Sequence, residues 1–378
     1  MDIKSFISLL GQDPEKISSI TTLRIVNHRD LTCIPETLGS LKALKTLGIS
    51  HTRVTELPGS LGQLAALATL DLRGCRALTG LPESLGQLTA LTTLNLSYCY
   101  ALTGLPESLG QLAALTTLDL SECDALKGLP ESLGRLAALT TLNLSFCEAL
   151  TGLPESLGQL AALTMLDFIL CRALTELPES LGQLAALTTL DLSVCHVLTG
   201  LPESLGQLVA LTTLDLSQCY ALTGLPESLC QLAVLTTLNL SGCLALTGLP
   251  ESLGQMSALA TLDLSKCRAL TGLPESLGQL TSLRKLGVDY CTSLTELPVS
   301  LGFLEDLGVI HMQGCNSIIE KFRLQKVNHG SAKDILGYLL STNQQFKILL
   351  LVLDGRRNRR RRPRLPAELW LFIQDEFL

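Results

Sequence analysis

One period runs through this chain. A proline preceded by leucine recurs every 24 residues from Pro58 to Pro298, and Pro35 lies 23 residues before the first of these. A chain of 378 residues could divide into two or three globular domains. A fixed period of this size instead means one supersecondary unit stacked on copies of itself. Hydrophobic residues make up 47% of the chain and aromatic ones only 4%, so the core is one aliphatic side chain, leucine, used repeatedly.

One unit reads Leu91-x-x-Leu94-x-Leu96-x-x-Cys99-x-x-Leu102-x-x-Leu105-Pro106-x-x-Leu109-x-x-Leu112. Leu94 and Leu96 alternate with Thr93, Asn95 and Ser97, the period of a short strand with one face buried. The later leucines recur every three or four residues behind a proline, which predicts a 3₁₀ or short helical turn on the opposite side. A single unit cannot seal its leucine face from water, so the fold belongs to the array. Thirteen strand segments can be counted over residues 20–318, from Thr22-Leu23-Arg24-Ile25 to Val309-Ile310-His311-Met312.

This pattern resembles the leucine-rich-repeat family. The form LDLSxCxALTGLPESLGQL is most similar to repeats of plant-type intracellular disease-resistance receptors, in which the position often held by Asn elsewhere is frequently Cys. The resemblance implies an α/β solenoid: an arc or horseshoe with a parallel β-sheet on the concave face and 3₁₀ or short helical turns on the convex face. It also implies a non-catalytic protein-interaction scaffold, in signalling or defence, that binds a partner on the concave face. Those receptors add a nucleotide-binding module, yet no G-x-x-x-x-G-K-[ST] phosphate loop occurs in this chain, so an ATPase is not expected. The first two units carry His28 and His51 near the cysteine position, as terminal repeats often depart from consensus.

Thirteen cysteines raise the question of disulfides or metal. Eleven of them, Cys75 to Cys315, recur at one repeat position, which points to packing. Stacked coils would bring neighbouring thiols within disulfide range, but a reducing compartment explains them better, each acting as a small hydrophobe with a weak donor. Cys33 and Cys230 lie outside this ladder, and no C-x-x-C pair suggests zinc. The five histidines form no metal-spaced pair, and no G-x-S-x-G elbow is present. No catalytic residue, cofactor, metal or small-molecule substrate is therefore expected. The Asn-Leu-Ser tripeptides at Asn95, Asn143 and Asn239 belong to the repeat consensus and are read as chance matches to a glycosylation site.

Interaction residues can be sought in two places. Residues alternating with buried leucines face the concave side, and at the central strand position they read Asp71, Asn95, Asp119, Asn143, Asp167, Asp191, Asp215, Asn239 and Asp263. Asp167, Asp191 and Asp215 are consecutive, on strands about 4.8 Å apart, where like charges repel. They either receive a partner with a basic surface or form a solvated ladder kept by repeat duplication. The second place is the pair of positions flanking the ladder cysteine, where the repeats differ most from one another. Tyr and Arg anchor interfaces more often than most residues, so Tyr98, Tyr100, Phe146, Arg172, His196, Tyr220, Arg268 and Tyr290 are the candidate contacts, with neutral drift at exposed positions as the alternative. Glu83, Glu107, Glu131 and their successors form another ladder, expected to cap or solvate the turns.

The ends leave the repeat. Residues 1–19 are read as an N-terminal cap, with a helical turn from Ser5 to Leu10. Residues 319–378 are read as a C-terminal cap: a helix from Ser331 to Leu340, an apolar run from Phe346 to Leu353, an arginine block and a last helix. The net charge is −7, and seven arginines lie between Arg356 and Arg364, which leaves −14 for the rest. That block offers an exposed linker, a nuclear-import signal or a contact for acidic lipid or nucleic acid, though nucleic acid is not expected as the principal partner. The stretch Leu365-Pro366-Ala367-Glu368-Leu369-Trp370-Leu371-Phe372-Ile373 resembles the opening of an F-box, which implies an adaptor for ubiquitin ligation. The alternative is an amphipathic helix that docks Leu369, Trp370 and Ile373 on the last repeats. Asp2 and Lys4 interrupt any secretory signal, and no apolar run approaches the roughly 18 residues of a membrane span. A cytoplasmic protein is expected, or a nuclear one through Arg356 to Arg364, with its oligomeric state open.

Overall fold

The computed structural model describes residues 19–316, together with Ile318 and Ile335. Thirteen strands form one parallel sheet in strict chain order, from β1 (Thr22–Val26) through β4 (Thr93–Asn95), β7 (Met165–Asp167), β8 (Thr189–Asp191) and β9 (Thr213–Asp215) to β13 (Val309–His311). Register follows the repeat, with Thr93 opposite Thr117, Leu94 opposite Leu118 and Asn95 opposite Asp119. Coils are numbered here by their strands.

Most strands are three residues long. Asn95 explains where β4 stops, because its Oδ1 accepts from the Ser97 backbone N–H at 2.9 Å and the Ser97 hydroxyl at 2.7 Å. Such a side-chain bond two residues on is an Asx turn, which competes with extended backbone. Pairing outlasts the strand itself: Leu96 N donates to Asp119 O at 2.8 Å, and Tyr98 N to Ser121 O at 2.8 Å. Leu96, expected within the strand, therefore sits just beyond it and is fully buried.

Between strands the chain makes twelve 3₁₀ turns, such as Glu107–Gln111. Each begins at a proline whose ring presets the backbone; Pro106 has φ −71° and ψ 151°. No side chain of the same coil caps the turn. Instead the glutamate ladder reaches forward one coil, so that Glu107 Oε2 accepts from Ser132 N at 3.1 Å and Glu155 Oε2 from Ser180 N at 3.2 Å. The expected capping role is found, but in most coils the glutamate caps its neighbour's turn and so ties coil to coil. At Glu36 the bond from Ser60 N holds the carboxyl below its usual range.

Leucines from both sides of each coil meet in a continuous core at essentially zero exposure. The ladder thiols lie in it, all of them free. Each donates to a carbonyl of the preceding coil, as Cys99 Sγ does to Leu72 O at 3.3 Å and Cys195 Sγ to Phe168 O at 3.3 Å. One placement is finer than the sequence reading. Thr52, not His51, takes the cysteine position of coil 2, buried with its hydroxyl 3.4 Å from Cys75 Sγ. His51 falls one residue earlier because the step from this position to Cys75 is 23 residues long.

On the turn side, glycines allow the closest approach. A Cβ at Gly206 would lie 2.1 Å from the Ser228 carbonyl oxygen of the next coil. Cys230 stands in this glycine column, and there Ser252 turns its hydroxyl to Glu227. In most other coils the matching serine hydroxyl is buried without a partner. Beyond Ile318 only Ile335 is described, and it is buried in the same cluster. The N-terminal turn, most of the segment read as a helix from Ser331, the apolar run, the arginine block and the F-box-like stretch all lie outside the described residues.

Candidate interaction surface

The acid and amide ladder lies on the strand face as expected, but it carries a structural duty the sequence reading missed. At all nine positions Oδ1 accepts from the backbone N–H two residues on, including Asp167 from Ile169 at 2.9 Å, Asp191 from Ser193 at 2.8 Å and Asp215 from Ser217 at 2.8 Å. The signal was the Asx-Leu-Ser spacing itself. Oδ2 remains for other work; Asp215 accepts through it from Asn239 Nδ2 at 2.9 Å. Burial pushes the Asp167 and Asp191 carboxyls up, opposed by those same backbone bonds, and at Asp191 the neighbouring Asp215 and Asp167 add to the rise. A cation arriving here would meet partly desolvated charge, where attraction is stronger than in open water. Met165 is also exposed on this face, where every strand from β1 to β11 (Thr261–Asp263) except β7 has threonine. That break in the pattern is legible in the sequence.

The variable positions beside the ladder cysteine form a rim along one side of the sheet. The residue just before the cysteine position is left-handed in all thirteen coils. Ten of these are not glycine, with φ from 55° to 65°: Asn27, His51, Tyr98, Glu122, Phe146, Leu170, Val194, Gln218, Lys266 and Tyr290. Glycine takes the position at Gly74, Gly242 and Gly314. A side chain there costs about 1–2 kcal/mol, and a β-branched one is unusual. Val194→Gly should therefore stabilise the protein by about 1 kcal/mol after the added freedom of glycine in the unfolded chain is subtracted. Urea unfolding at pH 7 would show this as a higher midpoint; a lower one would mean the turn carries no strain.

Several predicted contacts are brought together on this rim. Tyr98 and Tyr100 meet edge to face, centroids 6.3 Å apart, and Tyr100 Oη donates to Glu122 Oε2 at 3.2 Å. Arg172 pairs with Glu148 at 3.3 Å, and His196 stacks on Tyr220 with ring centroids 4.3 Å apart. Burial first, then the Arg172 charge, pushes the His196 imidazole down. Phe146, Arg268 and Tyr290 stand in the same two columns on coils 6, 11 and 12. Tyr98, Phe146, Tyr220 and Tyr290 are each 37–41% exposed, far more than aromatic side chains of a closed core would be. Among the described residues, no helix is long and apolar enough to cross a membrane.

Comparisons with known proteins agree with this architecture. The family profile described as "Leucine-rich repeat region" matches residues 3–104, and that described as "Leucine Rich Repeat" matches residues 186–208 and 210–232. No curated protein sequence matches. Among solved structures the chain is similar to a leucine-rich-repeat protein of Leptospira interrogans, at 28% identity over 83% of this chain and 84% of that one, with a TM-score of 0.56. It is similar to the leucine-rich-repeat domain of the type III effector XopL, at 29% identity over 62% of this chain and 81% of that one, TM-score 0.55. The Arabidopsis receptor kinase HAESA, solved with the peptide hormone IDA and the co-receptor SERK1, gives 28% identity over 81% of this chain and 57% of that one, TM-score 0.54.

Proposed function

This chain is a leucine-rich-repeat protein, and from that premise we propose that it is a non-catalytic scaffold whose strand face and adjoining rim bind a partner protein with a basic surface. The observation that carries the proposal is the left-handed rim. Gly74, Gly242 and Gly314 occupy the same turn without the steric cost, yet ten coils keep a side chain there. Strained backbone retained by a protein is a reason to look for function, and five of the exposed residues in or beside this column are the large Tyr98, Phe146, Tyr220, Leu244 and Tyr290. Asp167, Asp191 and Asp215 supply the charge that would orient a cationic partner. The free buried thiols suit a reducing compartment, and the hormone complex of the receptor kinase lends weight to a signalling or defence role.

The test is affinity capture from eukaryotic lysate with three baits, quantified by mass spectrometry: the full chain, Asp167→Asn/Asp191→Asn/Asp215→Asn, and a chain ending at Gly355. Partners of the full chain should fall about tenfold on the triple variant, equal to about 1.4 kcal/mol, and persist on the shortened chain. Equal recovery on the triple variant would refute the acidic strand face as the docking site. The second reading, an adaptor for ubiquitin ligation, rests on the F-box-like stretch from Leu365 to Ile373. It requires ubiquitin-ligase scaffold subunits to disappear with the shortened bait alone.

A further inference from the structure

The first three coils carry charge of opposite sign to those that follow. Residues 19–78 hold seven basic and four acidic side chains, whereas residues 79–222 hold three basic and fourteen acidic ones. Arg29, Arg53 and Arg76 occupy a single repeat position, directly after the cysteine position of coils 1, 2 and 3. Stacking brings them side by side, and together with Asn27, His51 and Gly74 they line a cleft of about 350 Å³. Coils about 4.8 Å apart would set three like charges in mutual repulsion. None of the three forms an ion pair among the described residues, and all are exposed. Arg76 lies over the Tyr100 ring, 5.3 Å from its centroid, which steadies the guanidinium without neutralising it.

The left-handed backbone beside the cleft is already committed. Asn27 N donates to Ser50 O, His51 N to Arg73 O and Gly74 N to Ser97 O, at 2.7–3.0 Å, so these three amides are engaged within the array and the charged donors facing a ligand are the guanidinium forks. Gly74 keeps the cleft open where the next coil has Tyr98; a Cβ at Gly74 would come within 2.5 Å of His51 Nδ1.

We propose that this cleft binds a phosphomonoester dianion borne by a partner protein. Planar guanidinium forks match phosphate oxygens pairwise and hold their charge throughout the physiological range. The volume sits at the small end of the roughly 300–1,000 Å³ usual for ligand sites, enough for a phosphate and the side chain that carries it. Partner binding by the scaffold is assumed here only for the source of the phosphate. The cleft lies on coils 1 to 3, apart from Asp167, Asp191 and Asp215 on coils 7 to 9, so the two sites can fail separately.

Fluorescence anisotropy with the full chain tests this, using labelled glycine-serine peptides that carry one phosphoserine, one phosphotyrosine, one glutamate or no charge. At fixed ionic strength one phosphopeptide should bind at least tenfold tighter than the glutamate and uncharged peptides. Excess inorganic phosphate should displace it, with weaker affinity of its own. Arg29→Gln/Arg53→Gln/Arg76→Gln should lose that binding, Arg53→Gln alone should weaken it several-fold, and Arg135→Gln on a distant turn should leave it intact. Asp167→Asn/Asp191→Asn/Asp215→Asn should also leave it intact, which separates this site from the strand-face reading. Unchanged affinity in the arginine variants, or a glutamate peptide that binds equally well, would overturn the site. Inorganic phosphate binding as tightly as the phosphopeptides would overturn its protein-borne source.

Discussion

Raising the pH from 7 to about 10 under reducing conditions should unfold the array. Eleven ladder thiols from Cys75 to Cys315 are buried and donate to carbonyls of the preceding coil. Burial raises every one of them above the ordinary thiol range, and Cys147, Cys219, Cys267 and Cys291 are pushed up to about 12. In the unfolded chain a thiol gives up its proton near 8.5. Between those values the folded chain holds protons that the unfolded chain has released, so rising pH favours unfolding. The stabilisation is complete below about pH 8.5 and drains away as the pH climbs toward 12.

Each thiol contributes about 1.4 kcal/mol per pH unit in that window. The nine most strongly shifted, Cys99 to Cys291, together give about 12 kcal/mol per unit, comparable with the whole stability of a typical domain, about 5–15 kcal/mol. Urea midpoints followed by circular dichroism at pH 7, 8.5, 9.5 and 10.5 should fall steeply after the second point, and all ladder thiols should become reactive to Ellman's reagent at the pH of unfolding. A midpoint that holds steady to pH 9.5 would mean that the thiols ionise in place, against the burial described above.

Gly206→Ala should cost about 2–3 kcal/mol, toward the upper part of the usual range for overpacking. Its new Cβ would overlap the Ser228 carbonyl oxygen at 2.1 Å, and that oxygen is backbone of the next coil, so relief requires separating two coils. Gly200→Ala is the matched control, because a Cβ there meets nothing within 4 Å and should leave the urea midpoint nearly unchanged. Cys230 marks the one turn where the array already carries a side chain in this column. Equal midpoints for the Gly206 and Gly200 variants would show that the coils part easily.

The period and the alternation of Leu94 and Leu96 were enough to read thirteen strands, proline-led turns and a thiol ladder, because each follows from which face of one unit must be dry; the parallel direction of the strands came from the family resemblance. What lay beyond reach depends on bonds between residues two apart or one coil apart. The second duty of Asp167 and Asp191, the forward reach of Glu107 and the left-handed backbone at Tyr98 and Val194 are of this kind. A periodic alignment records that these residues recur, without recording what their atoms touch. The cleft of Arg29, Arg53 and Arg76 was legible as three arginines at one repeat position. Its position is hidden by the 23-residue step between coils 2 and 3, which puts Arg53 and Arg76 out of the 24-residue register.

The in-place register, Thr93 beside Thr117 and Leu94 beside Leu118, turns the rim into a ruler graduated about every 4.8 Å. Deleting one whole 24-residue unit between Arg172 and Tyr220 would slide everything beyond it back by one graduation and leave each surviving coil with a neighbour of the same kind. The core would hardly register the change, since the incoming coil offers the same leucines, the same carbonyl to the thiol and the same glutamate to the turn. A partner that spans the gap would register all of it. Gain and loss of units thus gives such a chain a way to alter the spacing of its contacts in fixed steps while the chemistry that holds it together stays the same.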